Sequence, residues 1–318
     1  MSARRRLTPI FLIAAAMLLC GCDARTTQQS STPPPAGNGA QAPAPAVTDD
    51  TGAKVTLRTG PLRILSVTPG ATEMLFAAGA GSNIVATVDT SDVPEAAKKI
   101  ARIGDATALD YEKVIQAHAS VAVVWEDINS ATMIEKLASL GLPIYKVRAE
   151  TLRDIPRSIE RLSALSKTSA VAAAAAASLD HQLDSMDARR PAQKPLEVFY
   201  QIWEGPIYTI GGHHIITDAL RYCGAHNIFE DLKWPANIIG REAIIKRDPD
   251  VIILSAPVLT AREWASYWDY YPAMRAVANK KVQAWTDGRL DRMGPGAIDA
   301  AQDLCKTLDQ LRPAAAAG

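Results

Sequence analysis

Three tryptophans stand where flat, apolar faces could meet a ligand: Trp125 closes the run Val121–Trp125, Trp203 follows Leu196–Ile202, and Trp234 precedes Pro235 in a loop. An indole offers a broad apolar face and one hydrogen-bond donor, which suits contact with a large apolar ligand without charge pairing. Catalytic patterns are weak by comparison. Gly79-Ala80-Gly81 continues to Ile84 where a dinucleotide fingerprint requires glycine, and neither a phosphate loop nor a nucleophile elbow occurs. His213 and His214 are adjacent, while His118, His181 and His226 are scattered. A zinc site needs three or four ligands, so the pair reads as hydrogen-bonding near a helix start and no metal site is expected.

The elements that would hold these residues come in two similar sets. Short β-branched runs alternate with helical stretches: Arg63–Val67, Ile84–Val88, Val121–Trp125 and Ile144–Val147 as strands, with helices over Ala71–Ala78, Tyr111–Ala117 and Ala131–Leu140. The second set has strands at Leu196–Ile202, Ile207–Ile210, Val251–Leu254 and Val282–Trp285, and helices over Thr217–Tyr222, Arg241–Lys246 and Pro295–Leu311. A hairpin over Val47–Leu57, turning at Asp50-Thr51-Gly52, precedes the first set. Between the sets, Thr168–Arg189 holds six consecutive alanines, no glycine or proline, and Leu179, Leu183 and Met186 at helical spacing. The expected fold is α/β: two Rossmann-like lobes, residues 47–167 and 191–312, joined by one long backbone helix, 168–190. Ligand sites in such lobes lie beyond the carboxyl ends of the strands, where the three tryptophans fall.

The amino-terminal segment is of another kind. Arg4, Arg5 and Arg6 precede an apolar run that ends at Leu19-Cys20-Gly21-Cys22, the layout of a secretory leader, residues 1–21, with a small residue ahead of a cysteine. Cys22 is the expected lipidation site, and residues 22–46, small, polar and proline-rich, form a disordered tether with a reach of about 25 to 30 Å. Loss of the leader leaves 31 basic against 34 acidic side chains, a mild −3, with no basic face for nucleic acid. Of four cysteines, Cys223 and Cys305 remain as an even pair in an oxidising compartment, where a disulfide is expected.

Thr68-Pro69-Gly70-Ala71-Thr72-Glu73, Thr90-Ser91-Asp92-Val93-Pro94 and Leu137-Ala138-Ser139-Leu140-Gly141 resemble the first lobe of the helical-backbone metal-chelate receptors of ABC importers. Val198–Trp203, Cys223–Phe229, Trp234-Pro235 and Arg241-Glu242 are similar to the cobalamin-binding members of that family. The resemblance runs from Val47 to Leu311. It implies a non-enzymatic receptor that takes a corrinoid into the interlobe cleft and passes it to a permease and its ATPase; with lipid on Cys22, the expected form is a monomer anchored on the periplasmic side of the inner membrane. Haem or a ferric siderophore is the alternative cargo, and a lipid-anchored hydrolase or interaction module the alternative class. Thr90, Val93 and Ala106 stand where cobalamin receptors carry cleft aromatics, and the loop Asp287–Arg292 lacks aromatics expected there. Thr90, Asp287 and Arg289 join the tryptophans as expected ligand contacts, Arg289 and Arg292 being able to reach carboxylates or amides. The family docks through one glutamate per lobe. Glu242 matches the second-lobe position, Ala131 occupies the first, and Glu135 or Glu126 is the expected substitute.

Overall fold

In a computed structural model, residues 44–312 are described; the expected leader, Cys22 and nearly all of the tether lie outside them. Ala46–Thr48 and Lys54–Thr56 pair antiparallel, as the alternation foretold. The turn between them is wider than expected: Asp49 Oδ1 accepts the amides of Thr51 and Ala53, with Gly52 at φ +86°.

The first lobe holds a five-stranded parallel sheet in the order Ala101–Arg102, Ile84–Thr87, Ile64–Ser66, Val121–Trp125, Ile144–Val147. Its two middle strands are buried throughout, which is why they read as unbroken apolar runs. The helix Pro69–Ala77 starts where Thr68 Oγ1 accepts the amide of Ala71 and proline takes the first turn. Gly79, at φ +79°, ends it in the left-handed region. Beneath that helix Ser66, Thr72, Thr87 and Ser91 share a buried hydroxyl network with contacts of 2.8 to 3.2 Å. It pins the loop that carries Thr90 and Asp92.

The second lobe is not a copy of the first. Its sheet runs Ala236–Ile238, Tyr208–Ile210, Leu196–Trp203, Val251–Ser255, Val282–Trp285, with Ala225–Asn227 alongside the start of Leu196–Trp203. The last three strands of that order are parallel, whereas Tyr208–Ile210 folds back antiparallel. Cys223 and Cys305 are bridged, Cα atoms 4.6 Å apart, tying the end of helix Ile215–Tyr222 to helix Gly296–Leu311.

The alanine-rich segment forms a helix over Ser169–Ala188, 20 residues and so about 30 Å long. A second helix, Asp154–Ser166, packs against it after a break at Lys167, which is left-handed at φ 59°. The buried stripe of the long helix is Ala172, Ala176, Leu183 and Met186, with Leu179 only partly covered. One apolar cluster runs from Val123 and Tyr145 of the first sheet through Leu183 to Tyr200 and Ile253 of the second. The lobes therefore share a core.

Polar contacts reinforce that junction. Arg292 Nη1 lies 2.7 Å from Asp92 and 3.8 Å from the buried Glu73. Burial pushes the Glu73 carboxyl up, and Arg292 opposes that shift. Elsewhere the Leu152 amide donates to Asp218, and Gln302 donates to Gln182 of the long helix at 3.1 Å.

Candidate ligand cleft

Three neighbouring parallel strands of the second lobe end at one cavity of about 480 Å³, and their last residues, Trp203, Ser255 and Trp285, line it. This is the crevice beyond the carboxyl ends of the strands where α/β sheets bind ligands. Trp264, from the short helix Ala261–Ser266, adds a third indole. It meets Trp203 edge-to-face with ring centroids 6.2 Å apart, the arrangement in which ring edge and ring face attract. Ile202, Ile210, Ile216, Pro257 and Met293 complete an apolar wall.

Two ionisable side chains line this cavity, His214 and Asp291. His214 begins the helix Ile215–Tyr222, and its Nδ1 accepts the amide of Ile216 at 3.1 Å. An accepting Nδ1 fixes the neutral tautomer with hydrogen on Nε2. Burial acts in the same direction, pushing the imidazole down to about 4. Asp291 accepts from Ser255 Oγ at 2.8 Å. It is open to the cleft but has protein on most sides, and this loss of hydration pushes its carboxyl up to about 6. The next residue, Arg292, reaches Asp92, so the cavity borders the junction with the first lobe.

The residues singled out from sequence divide. Trp203 lines the cavity and is 55% exposed. Trp125 does not line it: this indole is 1% exposed, because the turn after its strand folds back and Asn129 Oδ1 accepts the Trp125 amide, closing the strand end over. Trp234 is 74% exposed on its loop and Thr90 is exposed two residues before Asp92; neither lines the cavity. Arg289 is held by Asp287 at 2.5 Å and Asp303 at 2.9 Å, so its donors are engaged within the lobe, and Asp287 lies below the usual carboxylate range because of that pairing. Glu242 is exposed in the first turn of helix Arg241–Arg247, and Glu135 is exposed on Ala131–Ser139. Glu126 is tied to Lys146 at 3.1 Å.

Sequence reasoning missed Trp264, Trp285, His214 and Ser255. Trp285 and Ser255 carry the same strand-end signal as Trp203. Trp264 has none, since its helix is placed only by the packed sheet. Among the described residues no group of three or more metal-ligating side chains is assembled, and no helix is long and apolar enough to cross a membrane.

Residues 64–287 match the family model described as periplasmic binding protein. The vitamin B12-binding protein of Vibrio parahaemolyticus is 28% identical over 251 residues, 79% of this chain and 90% of that protein. The crystal structure of the periplasmic vitamin B12-binding protein of Vibrio cholerae superposes with a TM-score of 0.71 at 30% identity, covering 78% of this chain and 97% of that one. A periplasmic haem-binding protein of Vibrio cholerae shares the fold, TM-score 0.66, at 21% identity. With two lobes on one backbone helix and a cleft at the strand ends, the chain belongs to the periplasmic binding protein family of ABC importers.

Proposed function

We propose that this chain is the corrinoid receptor of an ABC importer, held at the periplasmic face of the inner membrane by lipid on Cys22. The observation that carries the reading is the cleft lining: three indoles around an apolar pocket whose ionisable groups are one histidine and one carboxylate. A corrin is broad, largely apolar and fringed with carboxamides, and it needs aromatic walls and neutral or acidic polar contacts. Haem carries two propionates that call for cations. Arg289 and Arg292, the arginines nearest the cavity in sequence, are spent on Asp287, Asp303, Asp92 and Glu73. The relatives named for vitamin B12 support the same cargo. Glu242 and Glu135 are the surface carboxylates we assign to permease docking, where charge complementarity sets register and encounter rate.

The test is titration of the full-length protein in detergent with cyanocobalamin, followed by tryptophan fluorescence, beside a parallel titration with haem followed by its Soret band. Saturable quenching by cyanocobalamin is expected, and Trp203→Ala should weaken it about tenfold or more, the loss of a large aromatic contact. Haem binding without cobalamin binding would overturn the cargo. For the anchor, labelling with a radioactive fatty acid should mark the wild type and not Cys22→Ala; a wild type that takes up no label would count against lipidation at Cys22.

A further inference from the structure

Two ionisable groups, His214 and Asp291, line this largely apolar cleft, and their hydrogen-bonding capacities are complementary. His214 has its Nδ1 occupied by the Ile216 amide, so what it can offer from Nε2 is a hydrogen-bond donor. Nε2 has no hydrogen-bond partner among the described residues, while the ring lines the cavity. Asp291 offers the opposite: its Oδ2 takes the Ser255 hydroxyl at 2.8 Å, and the carboxylate keeps further acceptor positions. A donor and an acceptor lining the same cavity match the chemistry of primary carboxamides, whose carbonyl accepts and whose NH₂ donates. A ligand carboxylate has no proton to give Asp291 and repels it, a mismatch made costly by the apolar surroundings.

We propose that His214 and Asp291 form the specificity-determining element of the cleft, selecting ligands that present carboxamides and rejecting the corresponding carboxylates. The inference rests on the corrinoid reading and refines it: the indoles hold the ring, and this pair reads its fringe. It also assigns His214 a role other than metal ligation, because binding a metal through Nε2 requires moving the proton to Nδ1 and giving up the helix cap.

The experiment compares dicyanocobinamide, whose corrin fringe is carboxamide, with dicyanocobyrinic acid, in which those positions are carboxylic acids, both titrated near pH 7.5 into the full-length protein in detergent. Wild type should bind the amide form at least about tenfold more tightly, the scale of one charge-assisted hydrogen bond replaced by a repulsion. Asp291→Asn keeps the shape and the Ser255 contact but removes the charge, and should shrink the ratio below about threefold, mainly by improved binding of the acid. His214→Asn and His214→Ser retain a helix-capping side chain and lose the reach of the ring, so both should lower amide affinity while the melting temperature stays near wild type. Equal wild-type binding of the two corrinoids, or an unchanged ratio in Asp291→Asn, overturns the inference and leaves the corrinoid reading standing. Binding of neither compound overturns both.

Discussion

Gly70 sets how closely the lobes approach. A Cβ built on it would lie 2.1 Å from the carbonyl oxygen of Arg292 and 3.2 Å from the Gly294 nitrogen, all main chain of the opposite lobe. Ordinary contact needs about 3.4 Å or more, so Gly70→Ala demands a shift of about 1.3 Å between segments that cannot rotate away as a flexible side chain could. Alanine in a helix gains about 0.5–1 kcal/mol over glycine, and overpacking a dense junction costs about 1–3 kcal/mol, at the upper end when backbone meets backbone. The net expectation is a loss of about 2 kcal/mol, or about 4 to 8 °C in melting temperature for a body of this size. Asp291 precedes Arg292, so displacement of that turn should also weaken ligand binding. Gly288→Ala is the matched control: Gly288 has helical φ, −71°, and a Cβ there meets nothing within 4 Å. Differential scanning calorimetry of the two variants decides the matter. If Gly70→Ala melts within about 1 °C of wild type while Gly288→Ala does the same, the tight interlobe contact is not what fixes the lobes.

Other expectations concern the remaining ties. The Cys223–Cys305 bridge closes a separation of 82 residues, and the chain-entropy model gives about 4–5 kcal/mol for a loop of that length, so Cys223→Ala/Cys305→Ala should lower the urea midpoint strongly and make it insensitive to reductant. His214, pushed down to about 4, binds fewer protons folded than unfolded, so its contribution to stability is lost as pH falls from about 6.5 to 4; Asp291, pushed up to about 6, binds more protons folded, so its contribution is lost as pH rises from about 4 to 6. The two slopes oppose each other, and relative to wild type Asp291→Asn should gain stability and His214→Asn lose it as pH rises through that window, measured by melts at pH 4, 5 and 6. X-ray scattering should show little change in radius of gyration when ligand binds; a contraction of several ångströms would contradict a shared core.

Most of the architecture was legible wherever a period or a stop signal was strong. Val121–Trp125, Ile144–Val147 and Val282–Trp285 lie at the bounds read from sequence, and helix ends fell at Gly79 and just before Gly141. The short strands Ala101–Arg102 and Ala236–Ile238 were not legible, because neither run has an apolar stretch or alternation of its own and each exists only by pairing with a neighbour. The helix Asp154–Ser166 carried its signal in Ile155, Ile159, Leu162 and Leu165, and was overlooked beside the alanine tract. The antiparallel return of Tyr208–Ile210 breaks the symmetry that two similar element lists suggested. Trp125 and Trp203 show where sequence reasoning on the site ran out. Both end a strand, yet one is sealed by the Asn129 turn and the other stays open beside Trp264, a difference set by what folds over each strand end.

A receptor can recognise its cargo by closing around it or by presenting a finished surface, and the core here favours the second. Hinge closure needs few contacts between the moving bodies and a linker that absorbs backbone rotation. In this chain the crossing is a helix of 20 residues whose buried Ala172, Leu183 and Met186 belong to the same apolar cluster as both sheets. Opening that junction by more than a small angle would expose apolar surface at about 25 cal/mol per Å² and break the Arg292 contacts to Asp92 and Glu73. Ligand binding has to supply whatever such a movement costs, so a stiff junction leaves more of the binding free energy for affinity. Selectivity then rests on residues already in place at the strand ends. For that reason the neutral imidazole of His214, fixed by its own helix, and the carboxylate of Asp291, fixed by Ser255, can discriminate between groups as alike in size as an amide and an acid.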